Sequence, residues 1–200
     1  MPNVHHLRHT HLPENLFVKG EPETGADLAD DLERIAANIG PENIAACIVE
    51  PIAGSTGALV PPKGYLQKLR DACDKHGILL IFDEVITGWG RTGYPFAAQA
   101  FGVTPDIMTM AKAVTNGVVP LGAVASRESI YETVLDASPM GAVEFFHGYT
   151  YSAIPVSMAA GLAMQNIIEK ENLIQRSKDM SPYFLDGLFS LKDIDVITDI

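Results

Sequence analysis

The chain has 200 residues, of which 47% are hydrophobic, and it carries a formal net charge of −11. This size allows one core, belonging to one domain or to most of one domain and part of another. The sequence is acidic and contains no run of lysine or arginine, and both features disfavour a nucleic acid partner. No stretch approaches the ~20 apolar residues of a membrane span, and no secretory signal precedes residue 20. The two cysteines, Cys47 and Cys73, form no CxxC pair, so a reducing, cytoplasmic compartment is expected.

The first half of the chain predicts alternating helices and strands. Residues 1–26 lack periodicity and are typical of an extended segment lying over a folded body. Apolar positions at helical spacing then predict a helix over 26–39, ended by Gly40-Pro41. The next predicted elements are a strand over 44–52, a helix over 64–76, a strand over 78–85, a short helix reaching 101 and a strand over 106–110. Apolar strands separated by helices predict a parallel sheet with helices on both faces.

The second half predicts one more strand and then mostly helix. The sequence predicts an antiparallel strand over 121–126, a short helix over 129–134, a loop over 137–150 and helices over 155–169 and 172–191. The closing sequence IDVITDI alternates like a strand, with nothing after it to pair with. An extended start and a strand at the end are typical of an excerpt from a longer protein.

Two residues with complementary chemistry follow neighbouring predicted strands. Asp83 ends the strand in ILLIFDEV, and Lys112 follows the strand in DIMTMAK 29 residues later. An amine and a carboxylate at the carboxyl ends of successive strands suit a cofactor that offers an aldehyde and a heterocyclic nitrogen. The apolar neighbours of Lys112 also predict that its side chain is buried.

Each of these residues has a plainer interpretation. Asp83 and Glu84 could be the acid pair of a nucleotide triphosphatase, but the GxxxxGK[ST] loop that this requires is absent. The two acids could also simply solvate a strand end. Lys112 could be an ordinary strand-end lysine whose ammonium reaches water.

Two further patterns favour structural interpretations. Residues 88–93, GWGRTG, match the GxGxxG dinucleotide fingerprint, but Tyr94-Pro95 follows where a helix should begin. We therefore expect a loop whose glycines permit close backbone approach. The four histidines between residues 5 and 11 have no Cys, Asp or Glu at ligand spacing, so no metal site is expected.

Three longer segments together resemble the class III aminotransferases. They are AACIVEPIAGSTGALVPPKGYLQKLRDACDKHGILLIFDEVITGWGRTG, PDIMTMAKAVTNGVVPLGAV and FFHGYTYSAIPVSMAAGLA. They occur in the family's order and cover nearly the whole chain, and they are most similar to the omega-amino-acid:pyruvate branch. The resemblance implies an α/β, fold-type I transferase. Residues 1–40 would lead into the large cofactor-binding domain, 41–170 would form its C-terminal half, and 171–200 would start the small domain.

The resemblance also implies a cofactor and roles for particular residues. The cofactor would be pyridoxal 5′-phosphate, with Lys112 as the Schiff-base lysine and proton carrier and Asp83 paired with the pyridine nitrogen. Val85 would pack against the ring, and Glu50 would lie near it. Thr150 would bind the phosphate of the cofactor that the other subunit of a homodimer holds, so two chains would share each site. The substrates would be an omega-amino acid or amine as donor and pyruvate, a 2-oxo acid, as acceptor.

Some features depart from the family pattern. Ile154 stands where many relatives have histidine or asparagine, and Ser55 stands where ornithine-type relatives have a glutamate. Family members are more than twice as long and include a glycine-serine phosphate loop and a substrate-binding arginine that this chain lacks. We therefore expect the chain alone to aggregate and to bind the cofactor weakly. Another class III activity, such as glutamate-1-semialdehyde aminomutase, or an inactive fragment stays open as an alternative.

Overall fold

A computed structural model describes residues 3–140 and 148–200 and contains one four-stranded sheet. The strands are β1 (Ala46–Val49), β2 (Leu79–Asp83), β3 (Ile107–Met110) and β4 (Ala123–Ser126), which lie side by side in chain order. The first three are parallel and β4 is antiparallel to β3, as the sequence predicts. The helices are α1 (Asp30–Ile39), α2 (Tyr65–His76), α3 (Ala97–Ala100), α4 (Glu128–Ala137), α5 (Pro155–Lys170) and α6 (Leu173–Phe189).

The main core lies between one face of the sheet and the helices α1 and α2. Leu69 and Cys73 on α2 and Leu80 and Phe82 on β2 are all fully buried in this cluster. Alternate residues of β2 point to the opposite face, because side chains alternate along a strand. That second face carries Ile81 and Asp83, which are only half-buried.

Cross-strand pairing identifies the other residues of this second face. Ile48 pairs with Ile81, Asp83 with Thr109, and Thr109 with Val124. Paired residues project from the same side of a sheet, and Ile48 and Val124 are 61% and 70% exposed. We call the side that carries these five residues the open face.

Two buried or half-buried ion pairs hold the periphery to the core. Arg8 donates through Nε and Nη2 to the carboxylate of Asp31 on α1, at 2.8 and 3.0 Å, and so fixes the extended N-terminal segment. These hydrogen bonds hold the pKa of Asp31 well below its usual range, although burial opposes the shift. Arg70 on α2 donates to Asp106 at 2.8 Å, and the backbone N–H of Leu80 donates to the same oxygen at 2.7 Å.

One predicted strand is wrong. Residues 194–200 form turns and extended chain that joins no sheet, and the Asp199 carboxylate accepts a hydrogen bond from the Phe17 N–H at 2.7 Å. Alternation alone cannot make a strand where no partner strand lies alongside. Other predicted elements exist, with strands shorter than predicted, while residues 141–147 of the predicted loop lie outside the described chain. In the part that the structure describes, no helix is long and apolar enough to cross a membrane.

Candidate functional site

The candidate site lies at the carboxyl edge of the parallel strands. Glu50 directly follows β1, Asp83 is the last residue of β2, and Lys112 comes two residues after β3. Asp83 pairs with Thr109, and three residues of chain extend at most about 11 Å, so Lys112 stays close to that pair. Carboxyl ends of parallel strands are where open α/β sheets bind their ligands.

The Asp83 carboxylate is held through one of its two oxygens. Oδ1 accepts a hydrogen bond from the Val85 backbone N–H at 3.0 Å and another from Thr109 Oγ1 at 3.2 Å. Both bonds fall on the same atom, and no donor in the described part of the chain reaches Oδ2. The side chain is half-buried on the open face.

The neighbouring acid, Glu84, has a different role. It is fully buried and accepts hydrogen bonds from Thr87 Oγ1 at 2.6 Å and from the backbone N–H groups of Ala97 and Ala98 at 2.8 and 2.7 Å. The last two are at the start of α3, so Glu84 caps that helix. Asp83 and Glu84 point to opposite faces, as adjacent strand residues do, and do not form the acid pair of a nucleotide triphosphatase.

Lys112 adopts an unusual backbone conformation and is exposed. Its φ angle is +47°, and it begins a 3₁₀ turn that ends at Val114. The predicted burial of its side chain is wrong, although Val114 and Thr115 are buried. The side chain is exposed among the described residues. Within residues 3–140 and 148–200, no hydrogen bond or ion pair reaches the ammonium, which is therefore accessible to an incoming group.

Glu50 shapes the loop beside the site. Its Oε2 accepts the Gly54 N–H at 3.0 Å, and Ala53 and Leu59 then pair across a short hairpin. A Cβ on Gly54 would lie 2.7 Å from Ile86 Cδ1, so glycine allows this hairpin to pack against the residue after Val85. Val85 itself is half-buried. Glu50 and Val85 thus lie at the same edge as Asp83.

In the described part of the chain, no hydrogen bond or ion pair joins Thr150 to the other four predicted site residues. It is exposed in a turn that is closed by a hydrogen bond from the Ser152 N–H to the Tyr149 carbonyl, at 2.9 Å. This turn follows residues 141–147. The position leaves Thr150 accessible, and its predicted role towards a second subunit stays a prediction.

The GWGRTG segment forms a loop, as predicted. Gly90 and Gly93 have φ angles of +94° and +77°, and a Cβ on either would lie 3.1 Å from Ile174 Cγ1 or 3.0 Å from Lys178 Cβ on α6. The glycines therefore let this loop pack against α6, and no helix begins within the motif. Among the described residues, no group of three His, Cys, Asp or Glu side chains could hold a metal ion.

The fold and the site together define the class of protein. The carboxyl edge of a mainly parallel sheet carries an exposed amine and a carboxylate with one oxygen that no described residue engages, and these groups suit a carbonyl cofactor. The family model for class III aminotransferases matches residues 1–200. The chain therefore belongs to the class III aminotransferases.

Individual relatives agree with this membership. The chain is 55% identical to an omega-aminotransferase of Caulobacter vibrioides over its whole length, which covers 46% of that protein. It is 51% identical to an omega-amino acid:pyruvate aminotransferase of Pseudomonas putida, of which it covers 45%. The fold matches the crystal structure of a thermostable (S)-enantioselective omega-transaminase from Thermomicrobium roseum, with a TM-score of 0.79 and 43% identity, over 84% of this chain and 37% of that one. The chain thus spans less than half the length of these proteins.

The residues present fit two ends of pyridoxal phosphate. Lys112 offers a primary amine without a protein partner in the described chain, which suits the aldehyde. Asp83 offers an unengaged carboxylate oxygen, which suits the pyridine nitrogen. Thr150, an exposed hydroxyl, is the predicted ligand at the phosphate end.

Proposed function

We propose that this chain forms the cofactor-binding part of a pyridoxal phosphate-dependent transaminase, which moves an amino group from an omega-amino acid or amine to pyruvate. One observation carries the proposal. Asp83 and Lys112 lie at the same carboxyl edge of neighbouring parallel strands, with Oδ2 of the acid and the ammonium of the lysine both available. The relatives whose names state omega-amino acid, beta-alanine and pyruvate support this choice of substrates.

Pyridoxal phosphate, when bound, supplies an aldehyde that condenses with amines and a ring that withdraws electrons from the substrate. Lys112 would hold that aldehyde between turnovers. As a free amine, Lys112 would take up a proton from the substrate carbon. Asp83 would keep the pyridine nitrogen protonated through a charge-assisted hydrogen bond.

Three further residues complete the proposed site. Val85 would pack against the ring, and Glu50 would hold the hairpin that borders it. Thr150 would bind phosphate in the second subunit of a homodimer, which its exposed position permits. Ser55 lies exposed at the tip of the hairpin, so no acid is placed there for ornithine-type substrates. An aminomutase remains a less supported alternative, since the relatives quoted above are named as aminotransferases.

The proposal extends to organisation and compartment. Residues 41–170 would form half of the cofactor domain, and residues 171–200 would begin the small domain. Cys47 and Cys73 are free and buried, which agrees with a reducing, cytoplasmic compartment.

The test uses a full-length chimera, in which residues 1–200 replace the matched segment of the Caulobacter vibrioides omega-aminotransferase. The chimera should transfer amino groups from beta-alanine to pyruvate. Asp83→Asn should retain cofactor but lower kcat at least about 100-fold, whereas Glu84→Gln should mainly lower stability. Lys112→Ala and Lys112→Arg should abolish turnover, because neither side chain can condense with the aldehyde. Near-normal turnover of Asp83→Asn would overturn the assignment of the acid.

A further inference from the structure

Thr109 makes two contacts with the end of β2. Its backbone carbonyl accepts a hydrogen bond from the Glu84 N–H at 2.9 Å. Its hydroxyl Oγ1 lies 3.2 Å from Asp83 Oδ1 and donates to it, because an ionised carboxylate can only accept. Both contacts follow from the parallel register that pairs Asp83 with Thr109 on the open face.

The hydroxyl and the Val85 N–H reach the same carboxylate oxygen. Two donors on Oδ1, one from β3 and one from the chain after β2, restrict rotation of the carboxylate. Oδ2 is the oxygen that neither donor engages. A carboxylate binds a ring N–H well only when an oxygen lies close to the line of that bond.

We propose that Thr109 is a positioning residue for the transamination, holding Asp83 so that Oδ2 is presented to the pyridine nitrogen of the cofactor. This inference rests on the proposed function. Thr109 acts through Asp83 rather than on the substrate. It precedes Lys112 by three residues, so β3 and the turn after it carry both the positioning hydroxyl and the reactive amine.

Three substitutions of Thr109 and one control separate this role from simple packing. Thr109→Val removes the hydroxyl and keeps the branched shape, and both residues are favoured in strands. Thr109→Ser keeps the hydroxyl and removes the methyl group. Thr109→Ala is a second variant without the hydroxyl and must reproduce the effect of valine. Thr133→Val is the control, because it removes a hydroxyl that donates to the Ser129 carbonyl on α4, away from the site.

The chimera is reconstituted with pyridoxal phosphate labelled with ¹⁵N in the ring, and the NMR shift of that nitrogen is followed against pH. The unsubstituted, Thr109→Ser and Thr133→Val proteins should keep the nitrogen protonated over the same pH range. Thr109→Val and Thr109→Ala should lose the proton at lower pH. Their kcat for beta-alanine and pyruvate should fall about 10-fold, with KM within about twofold, equivalent to about 1.4 kcal/mol in the barrier.

The outcomes separate the two claims. A cofactor trapped on Lys112 together with an unchanged nitrogen titration in Thr109→Val and Thr109→Ala would overturn the positioning role and leave the proposed function standing. If Thr109→Ser also lost the proton on the ring nitrogen at lower pH, Thr109 would act through packing, and the positioning role would again be overturned. Failure of the unsubstituted chimera to hold cofactor on Lys112 would instead overturn the proposed function, and this inference with it.

Discussion

The left-handed backbone at Lys112 gives a quantitative prediction about stability. With φ at +47°, a residue that carries a Cβ is less stable in this conformation than glycine by roughly 1–2 kcal/mol. Glycine loses more chain entropy on folding, by roughly 0.5–1 kcal/mol. Lys112→Gly should therefore raise the free energy of unfolding by about 0.5–1 kcal/mol, whereas Lys112→Ala retains the strain and should leave it nearly unchanged.

The assay is urea unfolding of the full-length chimera without cofactor, because the 200-residue chain alone is expected to aggregate. Lys68 provides the matched control, because it is an exposed lysine within the right-handed helix α2. In this helix the order of stability should be the opposite, and Lys68→Gly should be less stable than Lys68→Ala by about 1 kcal/mol. If Lys112→Gly were no more stable than Lys112→Ala, the argument for backbone strain at the proposed reactive lysine would be refuted.

Three other predictions concern charged groups that hold the fold. The pKa of Asp31 is lowered in the folded chain. The stability from its pair with Arg8 should therefore be complete above about pH 4, the pKa in the unfolded chain, and should be lost as the pH falls below that value. Asp31→Asn should reduce this loss of stability at acid pH, as measured by urea unfolding. Arg70→Met should cost about 1–3 kcal/mol, because buried Asp106 loses the bond from Arg70 but keeps Arg127 at 3.2 Å and the Leu80 N–H at 2.7 Å. The exposed Arg34→Met should cost about 0–1 kcal/mol, and equal losses would contradict a buried pair. Glu84→Gln should cost about 1–3 kcal/mol, because an amide nitrogen cannot accept from the start of α3, and an unchanged thermal midpoint would contradict this cap.

The sequence predicted what depends on local patterns. Continuous apolar runs located all four strands, and the positions of Asp83 and Lys112 after two of them placed both at one edge. The predicted strand bounds were too wide: 44–52 shrank to Ala46–Val49, since an apolar run continues past the hydrogen-bonded ladder into the turn at Pro51.

What the sequence could not give depends on distant partners. Nothing in the order of residues shows that Glu84 caps a helix 13 residues later, or that Thr109 donates to Asp83 across 26 residues. The exposure of Lys112 was also unpredictable, because apolar neighbours indicate local burial but not whether the sheet edge is covered. Residues 194–200 alternate like a strand, yet only a neighbouring strand could make them one.

The central claim is that Lys112 is the lysine that holds the cofactor, and it can be measured directly. The chimera is incubated with pyridoxal phosphate, reduced with borohydride, digested and mapped by mass spectrometry. We expect one reduced cofactor on the peptide that contains Lys112, and no such product on that segment in Lys112→Ala. A product on another lysine at equal yield, or wild-type trapping in Lys112→Ala, would contradict it.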